Sequence, residues 1–163
     1  MTQPIKKGLG NIKSKKTTKK THKKHKDYGT SKLEIKFAKD FLDKLGVEYI
    51  YQFKAESIGR FFDYFLPKEN LIIEIDGDYF HSYGLLYEEM SPMQKKNKRV
   101  DKQKDHWALI NGIPIIRIWE HEINKNPDGV MKMLKEKLAT YKHKKDIEDR
   151  KKRRNFKKDD NTN

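Results

Sequence analysis

The chain has 163 residues, with 38 Lys and Arg against 24 Asp and Glu, and a formal net charge of +14 at pH 7. It has no cysteine, which excludes disulfides and thiolate zinc sites and fits a reducing compartment. No apolar run in the sequence approaches the roughly 20 residues that a membrane span needs. We therefore expect a soluble, cytoplasmic protein with one compact domain and extensions, and no membrane partner.

The excess positive charge lies at the two ends of the chain. Residues 1–27 include KSKKTTKKTHKKHK, which lacks apolar periodicity and is predicted to be a disordered basic tail. Residues 142–163 are predicted to form a second basic tail, and residues 28–141 the folded domain. Lysine-rich segments bind polyanions by counterion release, so we expect double-stranded DNA as a partner. A solubilising or localisation role is the alternative.

Apolar periodicity predicts an α/β (α+β) domain. In chain order, the predicted elements are a helix at 31–45, strands at 47–53, 61–66 and 71–76, a helix at 91–111, a strand at 113–119 and a helix from 126 to 141. Met93, Val100 and Trp107 recur at intervals of seven and are expected on the buried side of the second helix. The last strand is rich in isoleucine, so we expect it to be buried on both faces and to lie inside the sheet.

The hairpin formed by the second and third strands carries the strongest functional signal. Asp63, Glu74 and Asp76 interrupt an apolar context, where burying a carboxylate is costly unless a cation or hydrogen bonds compensate it. Because side chains alternate across a strand, Glu74 and Asp76 point to one face, which Asp63 can join from the paired strand. Converging carboxylates favour Mg²⁺. The alternative is a solvated sheet face on which the acids pair with Lys or Arg.

The segments after the hairpin extend this candidate site. Tyr79, Phe80 and His81 follow Gly77 beside the predicted metal, where the histidine can accept a proton from water and the aromatic pair is otherwise ordinary core. The first half of the second helix is strongly basic. Its cations form either a solvated face or a surface that holds DNA phosphates, and they are Lys95, Lys96, Lys98, Arg99 and Lys102.

Two further acids are candidates for supporting roles at this site. Glu34 is the third residue after Ser31, so it either completes a capping box at the start of the first helix or supports the waters of a metal. Asp101 stands among the cations of the second helix, where it can orient a catalytic partner.

Four stretches of the sequence resemble the PD-(D/E)XK nucleases, and among them the very short patch repair endonucleases and the related phage homing endonucleases. These stretches are FDYFLP, IDGDYFH, KRVDKQKDHW and INGIPIIRIWE. The resemblance implies a restriction-endonuclease-like core of helix, three strands, helix and strand. It also implies Mg²⁺-dependent cleavage of DNA, with Mn²⁺ as a possible substitute, by a monomer or homodimer.

The resemblance also implies roles for single residues. Asp63 and the Ile75 carbonyl would be metal ligands, and His81 the general base or water-orienting group. Asp101 and Glu34 would support them, and Tyr79 and Phe80 would wedge into the base stack. Asp76 stands where the repair enzymes have a histidine, which adds an acid able to strengthen metal binding. The structural zinc of those enzymes is not expected here, so a homing or junction-cutting role is an alternative to mismatch specificity. The competing function from another class is a non-catalytic DNA-binding protein that uses basic tails around a small α/β domain.

Overall fold

A computed structural model describes residues 31–159, of which residue 144 and residues 152–159 are described by their backbone alone. The predicted tail at 1–27 therefore lies outside the described residues. The helices are α1 (Lys32–Phe37), α2 (Asp43–Leu45), α3 (Pro92–Ile110), α4 (Glu120–Lys125) and α5 (Pro127–Asp159), and the strands are β1 (Ile50–Ala55), β2 (Arg60–Leu66), β3 (Leu71–Asp76) and β4 (Ile115–Trp119). A π-helical turn (Ala38–Leu42) joins α1 to α2, and a 3₁₀ turn (Tyr87–Glu89) precedes α3.

The four strands form one mixed sheet in the order β1-β2-β3-β4. The first three strands are antiparallel neighbours, whereas β4 pairs with β3 in parallel after the chain has crossed over through α3. One face of the sheet packs against α1, the π-helical turn and α5, and the other packs against α3. The domain is therefore a mixed α/β structure with helices on both faces of its sheet.

The predicted position of the last strand is wrong. β4 lies at the edge of the sheet, and only its alternate residues Ile116 and Ile118 are buried. Ile113, expected inside the strand, precedes it and is only partly buried. An isoleucine-rich run indicates an apolar environment but does not indicate how many strands flank it, so a covered edge strand has the same signature as a central one.

The first helix agrees with its prediction, because α1, the π-helical turn and α2 are continuous and end at Gly46, whose φ is 64°. Phe37, Phe41 and Leu42 are buried against the sheet. The next strand begins at Ile50 rather than at the expected residue 47. No helix within residues 31–159 combines the length and apolar character needed to cross a bilayer.

α3 has its predicted cap and part of its predicted buried face, since Trp107 packs against the core cluster that contains Phe62. The Ser91 hydroxyl accepts a hydrogen bond from the Gln94 N–H (3.3 Å), and the Gln94 amide oxygen accepts one from the Ser91 N–H (2.9 Å). Gln94, Lys104 and Ala108 are the buried residues, whereas Met93, expected on that side, is 38% exposed. A charged residue takes a buried position here because it meets an acid of the sheet, which apolar spacing alone does not indicate.

The C-terminal part of the domain is more helical than predicted. The short helix α4 follows β4 directly and was not predicted, and its Glu122 carboxylate accepts a hydrogen bond from the Trp119 N–H (3.0 Å). α5 continues to Asp159, so the helix does not end at the expected boundary between residues 141 and 142. Acid-to-base spacings of four residues, such as that from Asp146 to Arg150, favour a helix in this segment.

Candidate active site

The candidate site lies where the β2–β3 ladder opens. The ladder ends at the pair Tyr64 and Ile73. Beyond this pair, the Asp63 N–H donates to Glu74 Oε1 (3.1 Å), and the Ile75 N–H donates to Asp63 Oδ2 (2.7 Å). Because each strand satisfies a backbone donor with a carboxylate from the other, Asp63 and Glu74 are fixed beside each other at the opening.

The β1 side of the opening is also distorted. The β1–β2 register is regular on both sides of Gln52 and Asp63, but these two residues do not pair. Gln52 has a φ of 50°, a left-handed conformation that costs a residue other than glycine on the order of 1–3 kcal/mol. Its side-chain Nε2 donates to Glu34 Oε2 (2.8 Å), as does the Tyr51 hydroxyl (2.8 Å). The distortion therefore directs β1 side chains toward a third acid.

Glu34 is buried and combines parts of both predicted roles. Burial raises the pKa of its carboxyl above the ordinary value, and the Glu74 carboxylate adds to this rise, although hydrogen bonds from Tyr51, Gln52 and the Ser31 backbone oppose it. The Ser31 contact is the expected capping interaction, while the electrostatic effect of Glu74 connects Glu34 with the β2–β3 opening. The acid thus belongs to the candidate site as well as to the start of α1.

Two cations neutralise the acids of β3. Lys104 on α3 contacts Glu74 Oε2, and the two side chains are only 10% and 3% exposed. Arg117 on β4 uses Nη1 to donate to both oxygens of Asp76, at 2.9 and 3.2 Å. Sequence reasoning missed both cations. The available signal for Arg117 was its position as the single charged residue within the apolar strand β4, whereas Lys104 lies among other lysines and has no such signal.

The structure brings the predicted histidine and its predicted partner together. His81 Nδ1 is 2.9 Å from Asp101 Oδ2 and 3.5 Å from Asp76 Oδ1. Burial alone would lower the pKa of His81, but the Asp101 hydrogen bond and the Asp76 charge outweigh it and raise the pKa above the ordinary value. Burial alone would raise the pKa of Asp101, but the contact with His81 and the nearby cations hold that pKa below the usual range. Asp101 therefore stays ionised and fixes one nitrogen of the imidazole.

The predicted metal ligands are near one another but do not form a ready cage. Among residues 31–159, no three His, Asp or Glu side chains are grouped so that they could hold a metal ion. Asp63 and Glu74 could nevertheless hold a divalent cation, because they lie side by side at the opening of the ladder, where burial and then the charges of neighbouring acids raise the pKa of both carboxyls. A hard cation favours carboxylate oxygens and would relieve this repulsion. Asp76 differs from Asp63 because Arg117 already neutralises it, as Lys104 neutralises Glu74.

The aromatic pair after the hairpin is on the surface, so the core-packing alternative for these two residues is wrong. Tyr79 is 65% exposed and Phe80 55% exposed, and their rings meet edge to face with centroids 5.4 Å apart. The Gln94 amide donates to the Tyr79 carbonyl (2.6 Å), and the Asn97 amide donates to the Phe80 carbonyl (3.0 Å). Two side chains of α3 thus hold the backbone of the pair while both rings face solvent.

The basic face of α3 is exposed beside this loop. Lys95 is half-buried and lies over the ring of Tyr87, with its Nζ 5.1 Å from the ring centroid. The other four cations named from the sequence are exposed, and within residues 31–159 they take part in no ion pair; they are Lys96, Lys98, Arg99 and Lys102. Free cations next to exposed aromatic rings can bind phosphate and stack on bases.

A second histidine, also missed from the sequence, attaches the loop to the end of the sheet. His121 Nδ1 is 2.8 Å from Asp78 Oδ1, and the Tyr83 ring lies 4.2 Å from the His121 ring and 5.0 Å from the Trp119 ring, measured between centroids. The Asp78 N–H also donates to Glu120 Oε2 (3.3 Å). The loop that carries His81 is therefore held by α3 on one side and by the β4–α4 junction on the other.

No protein-family model, curated protein or solved structure matches the chain. The site itself therefore carries the functional argument. It combines desolvated carboxylates, an imidazole oriented by an acid, and an exposed basic and aromatic surface, which are groups able to take part in acid–base chemistry and in binding a polyanion.

Proposed function

We propose that the protein is a Mg²⁺-dependent endonuclease with a restriction-endonuclease-like core, which hydrolyses phosphodiester bonds in double-stranded DNA. The observation that carries the proposal is the placement of Asp63 and Glu74 at the opening of the β2–β3 ladder, within the same cluster as the His81–Asp101 pair. Carboxylates that face a polyanion repel it unless a cation lies between them. Homing and very-short-patch-repair-like enzymes are the favoured types, with mismatches or branched junctions as other targets.

Each residue at the site would have a distinct task. Asp63, Glu74 and the Ile75 carbonyl would hold Mg²⁺, which supplies Lewis acidity and positive charge at the scissile phosphate. Because Asp101 engages Nδ1 of His81, Nε2 is the nitrogen left to accept a proton from the attacking water. Lys104 favours the ionised form of Glu74 through their buried contact.

The exposed surface would place the substrate. The free cations of α3 suit DNA phosphates, because each neutralised phosphate releases counterions without regard to sequence. Tyr79 and Phe80 suit insertion between base pairs, since apolar wedges unstack base steps and bend the duplex. Tyr79 and Phe80 directly precede His81, and α3 contacts their backbone through Gln94 and Asn97, so a phosphate held on the first half of α3 would lie near the proposed base.

The competing function is that of a DNA-binding protein without catalysis. The ion pairs Glu74–Lys104 and Asp76–Arg117 favour it, because acids that are already neutralised need no metal. A cleavage assay separates the two. We expect the wild-type protein to nick or linearise supercoiled plasmid in Mg²⁺ or Mn²⁺ but not in EDTA.

The decisive variant is Asp63→Asn, which keeps the side-chain shape and removes the charge. We expect its cleavage rate to fall by at least about 10²-fold, the usual cost of losing one charge-stabilising group, while DNA binding in Ca²⁺, measured by fluorescence anisotropy, persists. Asp128→Asn makes the same change at an exposed acid of α5 and should cut normally. Wild-type cleavage by Asp63→Asn, or a wild-type protein inert in both metals, would overturn the proposed activity.

A further inference from the structure

Arg117 makes more contacts with acids than any other charged residue of the site that the structure describes. Its Nη1 bonds both oxygens of Asp76, and its Nη2 is 2.8 Å from Asp105 Oδ1. Nη1 also lies 3.8 Å from Asp101 Oδ1 and 4.0 Å from Glu74 Oε2. The register of β3 and β4 places Arg117 beside Glu74, so the guanidinium reaches the same face as the acids of β3.

We infer that Arg117 is an internal counter-ion that competes with the metal for Asp76, so that Asp76 becomes a metal ligand only after the guanidinium has moved. This inference rests on the proposed function, because it concerns the metal that a nuclease would need. Its basis is that one nitrogen of a planar guanidinium donates to both Asp76 oxygens, which a divalent cation placed there would have to displace.

Asp105 is a second hydrogen-bond partner, which Arg117 can keep when Arg117 releases Asp76. The Asp105 side chain is 52% exposed, it follows Asp101 by one helical turn on α3, and it binds the other end of the guanidinium. Arg117 can therefore leave Asp76 by a small rotation and still keep one charged hydrogen bond. The site thus has two arrangements of the same charges, of which a bound cation selects one.

The exchange explains how five neighbouring acids can coexist before metal arrives. Glu34, Asp63, Glu74, Asp76 and Asp101 are linked by electrostatic effects or contacts within this cluster. Arg117 and Lys104 compensate part of this charge from inside the protein. Compensation of this kind stabilises the metal-free fold and weakens metal binding at the same time, because the cation has to replace a favourable pair.

The test is Mn²⁺ binding to the protein without DNA, followed by electron paramagnetic resonance and by competition with Mg²⁺. We expect Arg117→Gln to bind Mn²⁺ at least about tenfold more tightly than the wild type, a difference of about 1.4 kcal/mol. Arg60→Gln removes the same group from a partly buried residue of β2, whose guanidinium makes a solvent-exposed hydrogen bond to Gln103. It should change the dissociation constant by less than about twofold, since charges in contact with solvent are strongly screened.

A third comparison identifies Asp76 as the residue through which Arg117 acts. In an Asp76→Asn background, adding Arg117→Gln should leave Mn²⁺ affinity unchanged, because the contested ligand is gone. If Arg117→Gln still tightens binding there, or if Arg60→Gln tightens it equally in the wild type, the cause is net charge and the counter-ion role is wrong.

The remaining outcomes separate this inference from the nuclease proposal. Unchanged or weaker Mn²⁺ binding by folded Arg117→Gln overturns the counter-ion role alone, whereas no Mn²⁺ binding by any variant overturns the proposed metal site as well. Should Arg117→Gln fail to fold, Arg117→Lys keeps the charge but replaces the planar guanidinium, whose two ends bond Asp76 and Asp105, with a compact ammonium. Its binding should tighten by about threefold, and wild-type affinity in that variant would also overturn the inference.

Discussion

Replacing Lys104 with methionine removes the cation of a buried ion pair and keeps most of the side-chain volume. The ammonium lies against Glu74 and 5.0 Å from the centroid of the Phe62 ring, so methionine retains the apolar contact. Removing one partner of a buried pair costs about 3–5 kcal/mol because the other charge stays buried. At pH 8 in EDTA we expect Lys104→Met to lose only about 1.4 kcal/mol of unfolding free energy, measured by urea denaturation with tryptophan fluorescence, because Glu74 has a pKa of about 7 and can be protonated at a cost of about 1.4 kcal/mol per pH unit.

The loss should depend on pH in a defined direction. Burial, and then the Asp63 charge, raises the pKa of Glu74 above its ordinary value, while Lys104 opposes the rise. Since the folded protein favours protonated Glu74, stability falls as pH increases from the ordinary carboxyl pKa through the raised one. Without Lys104 the pKa of Glu74 rises further, so the difference in stability between wild type and Lys104→Met should be small at pH 5, clear at pH 8 and larger still at higher pH.

A second substitution supplies the control. Glu74→Gln removes the buried charge, so the double variant Lys104→Met/Glu74→Gln should be more stable at pH 8 than Lys104→Met alone and should lose the pH dependence. Two independent, additive losses would show that the residues do not interact energetically. An equal Lys104→Met penalty at pH 5 and pH 8 would likewise refute the ion-pair account.

Two further predictions concern catalysis and DNA contact. His81→Ala should cut DNA about 10²–10⁴-fold more slowly than the wild type. Its unfolding midpoint should be nearly unchanged, since it loses one hydrogen bond worth about 1 kcal/mol, and Asp101→Asn should show a milder loss of cleavage. Cleavage at the wild-type rate by His81→Ala would exclude the role of general base. The double variant Tyr79→Ala/Phe80→Ala should keep its stability but lose DNA affinity in Ca²⁺ by about 1–3 kcal/mol per unstacked base. Phe61→Ala, which changes a half-exposed ring on β2, is the matched control, and an equal affinity loss there would contradict a specific wedge.

The hairpin and its acids could be predicted from the sequence because they break a strong apolar pattern. The strand at 71–76 agrees with β3. The position of Asp101 among the cations of α3 indicated that it could orient a catalytic partner, and the resemblance implied that His81 was a catalytic group. The ion pairs of the hairpin acids with Lys104 and Arg117 could not be predicted from the sequence. Lys104 and Arg117 reach their acids through tertiary packing and the β3–β4 register, and local spacing does not encode which distant residues become neighbours.

The contacts of Glu34 could likewise be predicted only in part, although the capping box depends on local sequence spacing. The spacing from Ser31 predicts a capping contact, and the Ser31 backbone does contribute a hydrogen bond. The stronger constraint comes from β1, where Tyr51 and Gln52 donate to one carboxylate oxygen. The left-handed conformation of Gln52 that accompanies this contact has no signal in the sequence, because glutamine is not a residue typical of that region.

The parallel pairing of β4 with β3 has a consequence for the order in which the protein folds. β1, β2 and β3 can meet through short connections, whereas β4 pairs with β3 only after the long crossover through α3, and parallel pairing over such a separation is slow to form. A partly folded chain with only the antiparallel strands therefore holds Glu74 and Asp76 without Arg117, which lies on β4. Mutual repulsion of these acids disfavours that species at neutral pH, so the strand that completes the sheet also makes the folding of the site cooperative.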